Sequence, residues 1–355
     1  MQTSSAPQYS KNIKHDWFNS NDEKPVQWTM TLLLLGVVSA SRILPAEVSM
    51  EELHDLWMEK HGKTYGDAGE KARRLETFAA NMKYIESFNA GSQKYRLGAN
   101  RFADLTNEEF RATYTGRYKQ PGSPRAPSTS FKYRDFAAPE SLDWRTKGAV
   151  TPVKDQQECG ACWAFSAVAS IESANQIKKG KLVSLSEQEL VDCDVNGEDQ
   201  GCSGGLMDNA FSFIIKNGGI TTEANYPYKG ADGTCDAGKE SSSAVRISGF
   251  EDVPANSEAS LLKAVANQPV SVAIDGGDYN FQLYSSGVFT GPCATDLDHA
   301  VTVVGYGIDD GVKFWLVKNS WGTSWGEKGY IRMERDVDDK QGLCGLAMQP
   351  SYPTV

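Results

Sequence analysis

The residues best placed for chemistry lie in Gln156-Gln157-Glu158-Cys159-Gly160-Ala161-Cys162-Trp163-Ala164-Phe165-Ser166. Beyond Cys162, Ala164, Ala167, Val168, Ile171 and Ala174 recur at helical spacing, and Gly180 follows Lys178 and Lys179 as a stop. The spacing therefore predicts a helix with Cys162 on its first turn. Unpaired N–H groups and the positive end of the helix dipole favour an anion there, so the thiol is expected to ionise more readily than a free cysteine. A thiolate is a nucleophile. Taken alone, a cysteine opening a core helix is more commonly a buried structural residue, and Cys159 completes a C-x-x-C that also suits disulfide exchange. Other parts of the chain decide between these uses.

The string Cys159-Gly160-Ala161-Cys162-Trp163 fits the C-G-[SA]-C-[WY] signature of one protease group. Far upstream, Glu70, Arg74, Phe78, Asn81, Ile85 and Asn89 match E-x3-R-x3-F-x2-N-x3-I-x3-N without a miss, and Gly98, Asn100, Phe102 and Asp104 match G-x-N-x-F-x-D. By these motifs residues from about 50 to 355 resemble a papain-family cysteine protease of the plant senescence-associated type, written as its inactive precursor. The resemblance implies an α+β papain-like fold of two domains, a helical left and a β-barrel-like right, with a cleft between them. A small helical inhibitory propeptide would precede it and lay its tail through the cleft.

The same resemblance assigns roles. His299 follows Cys162 by 137 residues (299 − 162), within the family's range, and is the only histidine after His15, His54 and His61. Cys162 and His299 would form a thiolate–imidazolium pair, Asn319 would orient the imidazole, and Trp321 would shield their hydrogen bond from water. Gln156 and the backbone N–H of Cys162 would bind the oxyanion. Gly204 and Gly205 would pair with an extended substrate, and Asp298 would be a further substrate-binding residue. Leu206, Met207, Ala273, Leu297, Ala300 and Gln349 would line an S2 pocket for a bulky apolar side chain. Six cysteines would pair as Cys159–Cys202, Cys193–Cys235 and Cys293–Cys344; spacing alone leaves the connectivity open. Two positions depart from the family's usual residues: Gln157 stands where Gly is usual, and Ala161 where Ser is commonest.

The elements that must position these groups follow in order. Residues 1–29 carry no clear period and receive no fold. Met30–Ala40 reads as a signal-peptide core with a cleavage site near Ala40, too short to span a bilayer; translation from Met1 or from Met30 both fit. Residues 49–119 form the inhibitory segment, with Met50, Leu53, Leu56 and Trp57 on one apolar face and Leu75, Phe78, Met82, Ile85 and Phe88 on another. Residues 120–137 are a linker rich in Pro, Ser and Gly at its start, suited to cleavage. Residues 138–355 make the peptidase. Its part from about 150 to 245 is helical, including a capping box at Ser186 and Glu189 that opens Glu187–Cys193. Its part from about 246 to 350 is sheet-rich, with runs at Val270–Ile274, Ala300–Val304, Phe314–Lys318 and Gly329–Met333.

The net charge of −10 splits unevenly: residues 1–137 hold 19 Lys/Arg and 16 Asp/Glu, leaving 36 − 19 = 17 and 46 − 16 = 30 for the remainder. Opposite signs suit two segments that pack together, and the acidic peptidase part lacks the basic stripe of a nucleic-acid binder. Seven cysteines give three pairs and one left over. Expected partners are protein and peptide substrates, the chain's own propeptide and cystatin-type inhibitors. Neither a cofactor, a metal nor a membrane anchor is expected, and the protein should be monomeric. A lytic compartment, vacuole or lysosome-like, suits such a protease, with extracellular release as the alternative. Activation should begin as acid weakens contacts of the propeptide, with Asp104 among the titrating groups. A thiol–disulfide oxidoreductase using Cys159 and Cys162 would leave His299, Asn319 and the upstream motifs without work. A peptide ligase on the same scaffold would resolve the acyl-enzyme with an amine.

Overall fold

A computed structural model describes residues 48–115 and 131–355. The expected N-terminal extension, the leader-like run and the start of the linker, Gln120–Ser130, lie outside those residues. The described residues fall into two compact units, the first ending at Ala79 and the second beginning at Ala80.

In the first unit, helix α1 (Met50–His61) opens with a capping box between Ser49 and Glu52 and closes on Gly62 at φ 62°. Helix α2 (Ala68–Asn89) begins here, where the Phe78 ring lies 5.0 Å from that of His54 and 5.2 Å from that of Trp57. The apolar face expected of α1 is narrower than its sequence implies. Leu56 is 48% exposed, and the buried positions are His54 and Trp57. His54 replaces a leucine in the packing because its ring stacks on Trp57 and Tyr65.

The second unit carries a nine-stranded sheet. Its strands are β1 (Tyr95–Leu97), β2 (Leu142–Asp143), β3 (Gly249–Asp252), β4 (Val270–Ile274), β5 (Tyr284–Phe289), β6 (His299–Asp309), β7 (Val312–Lys318), β8 (Tyr330–Glu334) and β9 (Ser351–Thr354). The order is β1-β5-β8-β7-β6-β4-β9-β3, with β2 pairing β6. All of these pairs are antiparallel except β5 with β8. Strand β1 comes from the segment upstream of the peptidase part, where Tyr95 sits opposite Gly287. Only glycine fits at that partner position: φ is 91° and a Cβ would stand 2.5 Å from the Lys94 carbonyl.

Around the sheet lie α3 (Asn107–Tyr114), α4 (Cys162–Lys179), α5 (Glu187–Cys193), α6 (Met207–Asn217) and α7 (Glu258–Val265). Helix α4 is buried on every side from Cys162 to Asn175 and ends at Gly180 with φ 68°. Such a helix belongs at the centre of a core, where Ala164, Ala167, Val168 and Ile171 share one cluster with Leu190, Phe211, Ile214, Ala273 and Ala300. Polar stitches fix it to the sheet: Ser166 Oγ donates to the Val301 carbonyl at 2.7 Å, and Ser271 Oγ to the Ser166 carbonyl at 2.9 Å.

At α5 the expected capping box is half formed. Ser186 Oγ accepts the Glu189 N–H at 3.0 Å, but Glu189 does not reach back. Its carboxylate instead takes the Thr221 N–H at 2.7 Å and Asn217 Nδ2 at 3.1 Å, because a buried carboxylate goes where the most donors converge. Among the described residues no helix is long and apolar enough to cross a membrane.

Candidate active site

Cys162 is the first residue of α4 and the one free cysteine among the described residues. No side chain caps this helix, since Ala161 precedes it, so the sulfur sits where N–H groups converge. N–H groups of Ala300, Trp163 and Cys162 itself reach it. His299 opens β6 opposite Ile274 of β4, which sets its ring one residue from Ala300. Its Nε2 lies 2.8 Å from Asn319 Oδ1, just past β7. The Trp321 indole stacks on the imidazole at 4.5 Å and 21°, and both rings are fully buried. His299 Nδ1 is buried and has no hydrogen-bond partner among the described residues.

Gln156 is fixed to the same corner. Its Nε2 donates to the Cys159 carbonyl at 3.1 Å, and its Oε1 accepts from Ser320 Oγ at 2.6 Å. Gln157, where glycine is usual in the resemblance, adopts φ 55°. That left-handed conformation explains the preference for glycine there.

In the covered site both Cys162 and His299 are shifted away from their charged forms. Burial pushes the Cys162 thiol up to about 12, outweighing the N–H groups that favour the thiolate, and Asp298 adds repulsion. Burial also takes His299 down to about 4, against the hydrogen bond its Nε2 donates to Asn319 Oδ1. With the site covered in this way both groups are held neutral at mild pH, because burial denies each charge its solvation.

Disulfides join Cys159 to Cys202, Cys193 to Cys235 and Cys293 to Cys344. The bridge through Cys193 and Cys235 also removes the thiolates from the one cluster of metal-ligand types among the described residues, which Glu240 completes. Gly204 and Gly205 are buried beside α6, and Gly205 is held tightly: a Cβ would stand 2.7 Å from the Trp163 ring. Leu206, Met207, Ala273, Leu297 and Ala300 share the apolar cluster that contains Cys162. Gln349 is half-buried next to Met348, which packs against that cluster. Asp298 accepts the Gly276 N–H at 2.7 Å, and burial raises its carboxyl to about 6.

Residues 138–354 match the model of the papain family of cysteine proteases. The chain belongs to that family. Residues 54–110 match the cathepsin propeptide inhibitor domain, so this papain-family protease is an enzyme in precursor form. It is 60% identical over 327 residues to the senescence-specific cysteine protease SAG39 of Oryza sativa subsp. indica, covering 91% of this chain and 96% of that one. Identity to SAG12 of Arabidopsis thaliana, also a senescence-specific cysteine protease, is 56% over 328 residues, 90% of this chain and 94% of the relative. Among solved structures, recombinant stem bromelain precursor superposes with a TM-score of 0.79 at 48% identity, covering 86% of this chain and 99% of that one. The proform of the ragweed pollen protease Amb a 11 gives 0.80 at 45%, covering 86% and 94%.

The protease's inhibitory motifs have distinct places. Glu70 Oε2 accepts the Gly66 N–H at 2.8 Å and so helps start α2; Arg74 is half-buried on that helix. Asn81 Nδ2 donates to the Ala103 and Leu105 carbonyls at 2.7 and 3.0 Å, while its Oδ1 accepts from the Tyr279 hydroxyl. Ile85 is fully buried. Asn89 brackets β1 by donating to the Leu97 carbonyl at 2.8 Å and accepting its N–H at 3.0 Å. The Gly98 N–H donates to the Leu283 carbonyl at 2.9 Å, and Asn100 Nδ2 to that of Gln282 at 2.8 Å. Phe102 meets Trp321 edge-on at 5.5 Å, and Asp104 is buried nearby in sequence.

Several contacts of the site were not singled out in the sequence. Phe110 of α3 also meets Trp321, at 5.2 Å, and Arg101 pairs with Asp155. A signal for α3 was present in Thr106 and Glu109, which form a full capping box. Behind the site, Lys154 Nζ bridges Glu172 at 3.0 Å and Glu187 at 2.7 Å. The propeptide tail expected in the cleft falls partly outside the described residues after Thr115.

Proposed function

We propose that this protease is an endopeptidase in which Cys162 is the nucleophile and His299 its general acid and base. Once the propeptide leaves, water and substrate dipoles resolvate the pair, and the proton passes from Sγ to Nδ1. The thiolate adds to the scissile carbonyl carbon, and the oxyanion takes N–H groups from Cys162 and Gln156. His299 then protonates the leaving amine, giving the acyl-enzyme. Water, deprotonated by His299, resolves it and releases the thiol. Asn319 orients the ring, and Trp321 keeps water from their bond. The observation that carries this reading is the 2.8 Å contact of His299 with Asn319 beneath Trp321, with the free cysteine's sulfur at the next backbone N–H.

Gly204 and Gly205 pair with extended substrate. Leu206, Met207, Ala273, Leu297, Ala300 and Gln349 accept a bulky apolar P2 side chain, a reading their shared apolar cluster with Cys162 supports. The enzyme acts as a monomer in an acidic vacuole-like compartment or after secretion, and cystatin-type inhibitors fit its cleft. Labelling acid-processed protein with an epoxysuccinyl probe and mapping the adduct tests the assignment. An adduct on Cys162 that is lost in His299→Ala is expected; an adduct elsewhere contradicts it. A P2 library led by Arg would contradict the apolar pocket.

A further inference from the structure

We propose that Asp194 and Asp199 share a single proton, and that this O–H···O bond is the clamp that holds the glycine wall, Gly204 to Leu206, against the core. They are positioning residues, and the proposal rests on the reading of Gly204 and Gly205 as the strand that pairs with substrate.

Asp194 caps the end of α5, its N–H donating to the Leu190 carbonyl at 3.0 Å, immediately after disulfide-bonded Cys193. Asp199 lies five residues on (199 − 194) and is 1% exposed. One of its oxygens, Oδ1, carries the wall: it accepts the Leu206 N–H at 2.9 Å and Asn209 Nδ2 of α6 at 3.1 Å. Gly205 rests directly on that carboxyl, since a Cβ there would stand 2.8 Å from Oδ1. The other oxygen, Oδ2, is buried, as is Oδ2 of Asp194, and among the described residues no N–H or hydroxyl donor reaches either. Each carboxyl is the neighbour that acts on the other's protonation, so the opposite carboxyl is the partner left for each orphaned oxygen. Ionised carboxylates are acceptors only, so a bond between the two requires a proton.

The surroundings keep the proton there. Burial raises Asp194 to about 8 and Asp199 to about 6, each further raised by a neighbouring carboxylate, Asp199 for the first and Glu198 for the second. Asn209 of α6 and the Leu206 N–H oppose the shift at Asp199. Of the other acids on these elements, Glu187 pairs with Lys154, Glu189 accepts from Thr221 and Asn217, Asp192 bonds Gln188, Tyr226 and Gly233, and Asp232 takes the Cys202 N–H, while Asp208 lies in the first turn of α6 with its Oδ1 buried. Loss of the proton sets two buried carboxylates against each other under the wall.

The sign follows from linkage. A carboxyl whose folded value lies above its unfolded one contributes stability below its unfolded value, and that contribution is lost as pH rises toward 8. The first test uses the full-length precursor carrying Cys162→Ala, which cannot cleave itself. Its melting temperature is followed from pH 5 to 9 beside Asp194→Asn, whose amide donates at every pH. The asparagine variant should gain on its parent steadily as pH rises, by several degrees at pH 9; parallel curves would overturn the shared proton. The second test follows KM of the processed enzyme for a peptide with apolar P2. It should rise severalfold above pH 8 in the parent, stay flat in Asp194→Asn, and be raised at every pH in Asp194→Ala. Unaltered KM profiles would overturn the link to the wall. Absence of any thiol-dependent hydrolysis in the parent would instead count against the proposed function, leaving the melting result to judge the proton.

Discussion

The ring of Phe110 stands edge-on to the indole of Trp321, centroids 5.2 Å apart at 80°, on the indole that stacks on His299. Phe102 adds a second edge at 5.5 Å. Inhibitory segment and catalytic corner therefore share one aromatic cluster, and the segment's hold on the enzyme can be weakened there. Phe110→Ala should cost the closed precursor about 3 kcal/mol, roughly 100-fold in its opening equilibrium. Self-processing at pH 7, followed as loss of the full-length band, should accelerate accordingly; an unchanged rate would place the hold elsewhere.

Among the described residues Asn319 is the one side chain hydrogen-bonded to the His299 ring, and its Oδ1 also takes the Ser320 N–H at 2.8 Å. Replacing it with alanine frees the imidazole to turn without removing a substrate contact. The processed Asn319→Ala enzyme should lose kcat by about 10- to 100-fold with KM nearly unchanged. Steady-state kinetics on a fluorogenic peptide read this directly, and a loss confined to KM would contradict the orienting role.

The neutral state of Cys162 and His299 in the precursor has two consequences. Burial holds the thiol near 12, so iodoacetamide should alkylate Cys162 slowly at pH 6 before processing and rapidly after it. His299 is held near 4, below its unfolded value, so its neutral form is favoured by folding. That stability is fully present above about pH 6.5 and is lost as pH falls toward 4, at most about 3 kcal/mol. In the Cys162→Ala precursor, adding His299→Gln should flatten the melting temperature between pH 6.5 and 4. Identical pH slopes in the two proteins would remove His299 from the acid response.

Gln157 sits at φ 55° beside Gly230, whose added Cβ would lie 2.6 Å from Gln157 Oε1. Left-handed backbone costs an L-residue about 1 kcal/mol, nearly what glycine gives up in chain entropy. Gln157→Gly should thus leave stability and kcat almost unchanged. Gln157→Val, β-branched at the same φ, should lose about 2 kcal/mol and misdirect Gln156. Denaturant midpoints paired with kcat separate these outcomes; equal midpoints for both variants would show that the turn carries no strain.

Elements with local signals were legible. The run after Cys162 predicted α4 with its stop at Gly180, and Val270–Ile274 is β4 residue for residue. The half-formed box at Ser186 was not, because Thr221 and Asn217, which draw Glu189 away, lie about thirty residues off. Leu56 misled for a related reason: periodicity records which residues could face a core, while the partner surface decides how wide a stripe is covered.

What the sequence determined by itself was therefore the chemistry available: one unpaired sulfur among seven cysteines, one late histidine, and two spaced motifs upstream of them. Residue type and spacing suffice there because helices, caps and motifs are written within a few turns of chain. The tertiary structure alone decided the charges those groups carry and the contacts that cover them. A thiol near 12, an imidazole near 4 and a buried carboxyl pair arise from what surrounds each group, and those surroundings are contributed by segments far apart along the chain.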